Sequence, residues 1–169
     1  MITKPIVTPR LRLHGLEKKD EAAAVQILRS DLVKPTYMLP DLDEAGAKQL
    51  FARFLRISNS HERLLLGIYL EDKLIGWIND TEICDQTMEL GWVIHPDCWG
   101  QGYATEAVRG VLPALQEEGF RCVYAGAFSE NTASIRVMQK AGMRLMDKTE
   151  TLEYRGKTHR CVYYGIRLS

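Results

Sequence analysis

Neither sign of charge predominates in this chain. Its 169 residues carry 22 Lys plus Arg against 22 Asp plus Glu, a formal net charge of zero at pH 7. A general nucleic-acid binder usually has a basic excess to meet phosphates, so that class is disfavoured. Long apolar runs are missing too: nothing approaches the roughly 18 apolar residues that span a bilayer. The first residues, MITKPIVTPRLRLHG, hold no uninterrupted apolar segment of the kind a signal peptide needs. The expectation is a cytoplasmic protein without a membrane partner. Cysteine is sparse and unpatterned. Cys84, Cys98, Cys122 and Cys161 form neither a CxxC pair nor Cys/His ligand spacing, which argues against zinc or any other metal and for buried reduced thiols. The single Gly-Lys-Thr, Gly156-Lys157-Thr158, is not a Walker P-loop, because the motif's first glycine would fall on Thr151. Hydrophobic residues at 46% and charged residues at 26% suit a globular fold, and this length suits one domain over residues 1–169 with a core that needs no staples.

What is present alternates between strand and helix patterns. Leu11, Leu13 and Leu16 mark a first strand and its exit, and Asp20 is placed to cap a helix running to about Leu28. Lys34–Pro40 should break helix, because proline disfavours α geometry in the residue before it. A second helix starts at Asp43 or Glu44, with Leu50, Phe51, Phe54 and Leu55 on one face. Leu64–Leu70 and Leu74–Ile83 read as a hairpin around Glu71-Asp72-Lys73, and Met88–Ile94 as a fourth strand. Ala104–Glu118 is helical up to Gly119, Cys122–Phe128 is a fifth strand, and Thr132–Ala141 is a short helix ended by Gly142. Met143–Tyr154 and Thr158–Leu168 make a last hairpin. The pattern predicts an α/β domain with a mixed, mostly antiparallel sheet of about seven strands and about four helices.

The junction between the fourth strand and its helix carries the most chemistry. There Trp99-Gly100-Gln101-Gly102-Tyr103-Ala104-Thr105 joins an apolar strand to a helix. Gly100 and Gly102 permit the positive φ angles of a tight turn whose N–H groups converge. The helix start adds unpaired N–H groups and the positive end of its dipole, so the turn is a seat for a phosphate or pyrophosphate. The alternative is a plain strand-to-helix turn. A dinucleotide fingerprint fails, since its third glycine falls on Thr105 and no acidic residue closes the next strand.

The order of elements, this junction and the later Asn131-Thr132-Ala133-Ser134…Lys140-Ala141-Gly142-Met143 together resemble the GNAT acetyltransferases, most closely their RimJ/RimL-like, ribosomal-protein branch. The resemblance runs from Pro9-Arg10-Leu11-Arg12-Leu13 to the final hairpin. Of the family's Gln/Arg-x-x-Gly-x-Gly/Ala loop, Gly102 and Ala104 fit, while Trp99 replaces the leading polar residue and leaves pyrophosphate binding to backbone amides. The resemblance implies the GNAT fold and transfer of an acetyl group from acetyl-CoA to a primary amine, by direct attack in a ternary complex. The loop physics agrees: coenzyme A has a pyrophosphate for Trp99–Thr105 and a peptide-like pantetheine arm that can pair with the backbone of Trp92, Val93 and Ile94. Asn131 is implied as a cofactor contact and Ser134 as a group near the sulfur.

Transfer to an amine needs a base for the amine proton and an acid for the departing thiolate. Glu89 is the candidate base, directly or through water. It lies mid-strand among apolar neighbours, where desolvation raises a carboxyl pKa, and alternation puts it on one face with Gly91 and Val93. Ser134 is the candidate acid, on the first turn of a helix that Asn131 would cap. The structural alternatives are an ordinary strand glutamate and an ordinary helix start. Tyr124 and Tyr154 are other candidate donors, His95 more simply marks a turn, and Arg136 with Lys140 either meets the cofactor's 3′-phosphate or lies on a solvated face. Trp77 and Trp92 read most simply as core, the alternative being that one of them lines the acceptor pocket. The acceptor, a small amine or a protein N-terminus, should be read by the first two helices, the Lys34–Asp41 loop and the last hairpin. A homodimer stays open, and the competing class is a non-catalytic acyl-CoA-binding module.

Overall fold

One sheet of eight strands runs through the chain, and the computed structural model describes residues 1–169. In chain order the elements are β1 (Ile6–Val7), β2 (Leu11–His14), α1 (Glu21–Leu28), α2 (Lys34–Tyr37), α3 (Glu44–Ser60), β3 (Leu65–Leu70), β4 (Lys73–Cys84), β5 (Thr87–Ile94), α4 (Tyr103–Glu117), β6 (Cys122–Phe128), α5 (Thr132–Lys140), β7 (Arg144–Tyr154) and β8 (Lys157–Arg167). The spatial order is β1-β2-β3-β4-β5-β6-β8-β7, antiparallel everywhere except between β5 and β6. This is the mixed α/β architecture expected, with one strand and one helix more than the patterns predict. The extra strand, β1, is two residues long and pairs Ile6 with Leu13. The extra helix, α2, is a single turn in the stretch expected to break helix. Pro35 sits in its first turn, where a missing N–H costs nothing, and Met38 leaves it in the left-handed region at φ +53.

Two local expectations need correction. Asp20 does not cap α1. Its buried carboxylate accepts the Glu17 N–H at 2.7 Å and the Tyr69 hydroxyl at 2.6 Å, which ties the α1 entrance to β3 instead. Of the four thiols only Cys161 is buried, and Cys84 is exposed. By contrast Asp43 caps α3 by accepting the Gly46 N–H at 2.7 Å.

Strand alternation sends apolar side chains to two cores. Met88, Leu90 and Ile94 of β5, with Val123 and Ala125 of β6, pack against Ala107, Val108, Val111 and Leu115 of α4 and Met138 of α5. On the opposite face Val93 and Trp77 pack with Ala24, Ile27 and Leu28 of α1 and Phe51 of α3. Glu89 and Gly91 share the face of Val93.

The parallel pair β5–β6 is short. It holds Thr87↔Cys122, Met88↔Val123 and Glu89↔Tyr124, and then the strands part. From Leu90 onward β5 keeps its β4 partner while β6 continues beside β8 alone. A Cβ at Gly76 would stand 2.0 Å from the Val93 carbonyl oxygen, so only glycine lets β4 hold β5 that closely there. The Val93 carbonyl and the His95 N–H (to Ile75, 2.7 Å) both point toward β4. By alternation the backbone groups of Trp92 and Ile94 point into the opening.

Candidate active site

The strand–loop–helix junction is built as an anion seat. Gly100 and Gly102 take φ of +74 and +81. The N–H groups of Gly100, Gln101, Gly102, Tyr103, Ala104 and Thr105 make no hydrogen bond within the chain; the helical ladder begins at Glu106, whose N–H meets the Gly102 carbonyl at 3.0 Å. Six donors thus lie at the positive end of α4. The loop is braced from both sides. The Trp99 indole N–H donates to the Ile94 carbonyl at 2.7 Å. Arg10 donates to the Gln101 carbonyl at 2.8 Å and to Glu106 at 2.6 Å, with its guanidinium 4.5 Å from the Tyr103 ring centre. Burial alone would raise the Glu106 carboxyl, but the Thr8 hydroxyl and the Arg10 N–H and guanidinium outweigh it and hold it below the usual range. Because Glu106 takes up the Arg10 charge, the seat's attraction for an anion rests on backbone dipoles.

A cavity of about 440 Å³ opens beside this loop. It brings together Trp92, Val93, Ile94, Trp99, Gly100, Gly102, Tyr103, Ala104, Thr105, Asn131 and Ser134. Gln101 and Glu89 are not in its wall. Arg136 and Lys140 are, and Thr36 of α2 reaches its far end. Asn131 caps α5 by accepting the Ser134 N–H at 3.2 Å, which leaves its amide NH₂ for another partner. Trp92, read from sequence as core, packs on the core and also lines this cavity, whereas Trp77 is fully buried.

Glu89 stands at the vertex where β5 and β6 separate, half-buried on the other face of the sheet. Burial raises its carboxyl pKa, and Glu82 and Glu150 raise it further against the opposing pull of the Thr81 hydroxyl and Lys148. Glu82 is its direct cross-strand partner on β4. Around it the Tyr124 hydroxyl donates to Glu82 at 2.8 Å and the Tyr163 hydroxyl to Glu150 at 2.5 Å. Burial pushes both phenols well above their ordinary range. The floor toward α2 is a chain of polar contacts: the Trp77 indole donates to the Tyr37 hydroxyl at 3.2 Å, and that hydroxyl donates to Asn79 at 2.5 Å. Burial pushes Tyr37 up to about 12. The Tyr154 hydroxyl meets the carbonyls of Lys34 and Leu39 at 2.9 and 2.7 Å, while Arg155 meets Asp41 at 2.7 Å. The tip of the last hairpin is therefore clipped to the α2 segment. His95 accepts the Asp97 N–H at 3.1 Å, a turn role.

Residues 10–144 match the family model of the acetyltransferase (GNAT) domain. The chain belongs to the GNAT acetyltransferases. This GNAT domain is 30% identical over 141 residues to the uncharacterized N-acetyltransferase YnaD of Bacillus subtilis, and the match covers 82% of each chain. Its fold is similar to RimL, a ribosomal L7/L12 alpha-N-protein acetyltransferase solved with coenzyme A, at a TM-score of 0.85 and 15% identity over 98% of each chain. It is also similar to Mycobacterium smegmatis RimJ solved with CoA-disulfide, at 0.80 and 22% identity over 97% of this chain and 86% of that one.

Within this GNAT domain the structure adds side chains that sequence reasoning passed over. Tyr37 and Asn79 join across 42 residues, and Glu82 faces Glu89 only because a bulge between Asp80 and Glu82 shifts the register. Lys148 and Glu150 approach from β7 through a second bulge. No periodic signal marks either displacement. Tyr124 and Tyr154, the alternative proton donors, both have their hydroxyls engaged elsewhere.

Proposed function

We propose that this protein is an acetyl-CoA-dependent N-acetyltransferase whose acceptor amine attacks the thioester directly while both substrates are bound. The observation that carries this reading is a convergence: five of the loop residues with unpaired amides, Gly100 and Gly102 to Thr105, the β5 edge at Trp92 and Ile94, and Ser134 share one cavity, and that edge leads to Glu89 at the strand vertex. The loop Trp99–Thr105 receives the pyrophosphate, the β5 edge pairs with the amides of the pantetheine arm, and the free amide of Asn131 reaches the same ligand. Bound acetyl-CoA supplies an activated acetyl group. Glu89, raised by burial toward the range useful in a base, accepts the proton of the attacking amine, directly or through one water. Ser134 gives a proton to the departing thiolate. Glu89 and the wall made by α2 and the β7–β8 hairpin suit an acceptor that reacts as a neutral amine, a small amine or a protein N-terminus. A single acetyltransferase domain in the cytoplasm, with no metal, completes the reading.

The test is acetyl transfer from acetyl-CoA to a panel of polyamines, aminoglycosides, amino acids and N-terminal peptides, followed by thiol release and mass of the product. We expect stoichiometric acetylation of one amine class. Tight coenzyme A binding without transfer to any member would make the chain a non-catalytic acyl-CoA-binding module instead.

A further inference from the structure

The ladder between β7 and β8 is interrupted where it matters most. Leu145 pairs with Tyr164 and Thr149 with Val162, so the stretch between Leu145 and Thr149 is longer than its β8 counterpart and bulges off the sheet. The bulge carries Lys148 over the sheet face that bears Glu89. Its ammonium lies 5.0 Å from the Tyr124 ring centre and 4.3 Å from that of Tyr163, with Glu150 Oε1 at 4.0 Å. Tyr124 is the β6 register partner of Glu89. The groups that face Glu89 are Glu82 from β4, Tyr124 from β6, Lys148 and Glu150 from β7, and Cys161 and Tyr163 from β8. Lys148 is the cation among them.

We propose that Lys148 is a positioning residue for acetyl transfer: its ammonium, seated between two phenol rings, keeps Glu89 in the charged, proton-accepting form and disfavours docking of the acceptor as an ammonium ion. The proposal rests on the reading of Glu89 as the base. The charges of Glu82 and Glu150 beside the half-buried Glu89 favour its protonated form, and a counter-charge opposes them. Without that counter-charge, Glu89 either takes up a proton or pairs with a protonated amine, and both states are unreactive. Burial lifts the Glu89 carboxyl and Lys148 pulls it back, in the direction the role requires. The two rings fix the ammonium by cation–π attraction, so it is held over the site rather than free in solvent.

Lys148→Met keeps the aliphatic stem over the rings and removes the charge; Lys148→Arg keeps the charge. Each is measured alone and with Glu89→Gln, as pH profiles of kcat and kcat/KM with the best amine of the panel. In Lys148→Met the acidic limb of kcat should move upward by about 0.5–1 unit, less than the 1–3 units of a contact pair because Lys148 is partly exposed. Turnover at neutral pH should fall severalfold without a rise in the amine KM. Lys148→Arg should restore the limb, and in the Glu89→Gln background Lys148→Met should change neither quantity. An unmoved limb in Lys148→Met, while Glu89→Gln is impaired, overturns the role of Lys148 and leaves the base standing. A raised amine KM at unchanged kcat makes Lys148 a binding group and also overturns it. If Glu89→Gln keeps the wild-type limb and rate, the base reading fails and takes this role with it.

Discussion

Glu89 is placed where ionising it costs the folded chain free energy, since burial and two neighbouring carboxylates all favour the protonated form. The folded carboxyl therefore titrates above its unfolded value, and between the two values the native state holds more protons. Stability then falls as pH rises through the unfolded value toward the folded one, and the penalty is fully present above both. Replacing Glu89 with Gln removes that penalty while keeping shape. We expect Glu89→Gln to melt at a higher temperature than the parent at pH 7–8, with the difference vanishing below about pH 4, where both forms are neutral. The same variant should lose roughly 10²–10⁴ in turnover, the usual worth of general acid–base catalysis. Melting curves and rates collected over one pH series check both halves. A Glu89→Gln protein less stable than the parent at pH 7–8 makes Glu89 a hydrogen-bonded anchor of the strand instead. Glu89 itself is legible in the sequence because a lone carboxylate interrupts an apolar alternation. Lys148, Glu82 and Glu150 are not: only two bulges bring them to it.

At the scale of elements, the β5–loop–α4 unit does the binding through conformation more than through side chains. A Cβ on Gly102 would meet nothing nearer than the Arg10 guanidinium at 3.4 Å, so the restriction at this position is the backbone angle of φ +81 and not crowding within the chain. Gly102→Val cannot hold that angle without strain, and relaxing it turns the amides of residues 102–105 away from one another. Coenzyme A affinity should fall by tenfold or more, about 1.4 kcal/mol per decade, with the far-ultraviolet circular dichroism unchanged. Gln101 offers the loop only its backbone, since its carbonyl takes the Arg10 guanidinium and its side chain does not line the cavity. Gln101→Ala should accordingly leave the affinity within about twofold, as expected for a surface substitution away from such features. Calorimetric titration of coenzyme A into the two variants separates a backbone seat from a side-chain one, and equal losses from both would sink the former. Elements of this kind, long and strongly patterned, are where the sequence is most readable. The strand–turn–helix junction, the Asn131 cap and the two terminal hairpin strands all follow from local residue types. Asp20 misleads because the Glu17 amide and the Tyr69 hydroxyl, 49 residues away, compete successfully for a carboxylate that local rules assign to a cap. Pro35 misleads because a single helical turn needs no N–H where it sits.

Across the whole molecule, the two parts of the sheet meet through three register pairs, Thr87 to Glu89 with Cys122 to Tyr124. Beyond that seam, β5 with its loop and α4 line one side of the cavity, while α5 supplies Asn131, Ser134, Arg136 and Lys140 on the other. A ligand lying there bridges both parts and takes the place of the missing strand pairing. Coenzyme A, NAD and ATP all carry a pyrophosphate linkage that the loop amides can receive, so the loop alone does not select among them. The selective feature is the open β5 edge, because only coenzyme A brings a chain of amides to pair with Trp92 and Ile94. Coenzyme A should therefore raise the thermal midpoint most. A ligand that binds only the native state stabilises it by mass action, about 2.7 kcal/mol at a hundredfold excess over its dissociation constant. NAD and ATP at the same concentrations should give much smaller shifts. Hydrogen exchange should report the same difference locally: coenzyme A slows the amides of residues 100–105 together with those of Trp92 and Ile94, whereas ATP slows the loop amides alone. Equal or greater stabilisation by NAD, or slowed exchange at the loop without any at Trp92 and Ile94 in the coenzyme A complex, would remove the β5 edge from the binding site and leave the cavity as a general pyrophosphate seat.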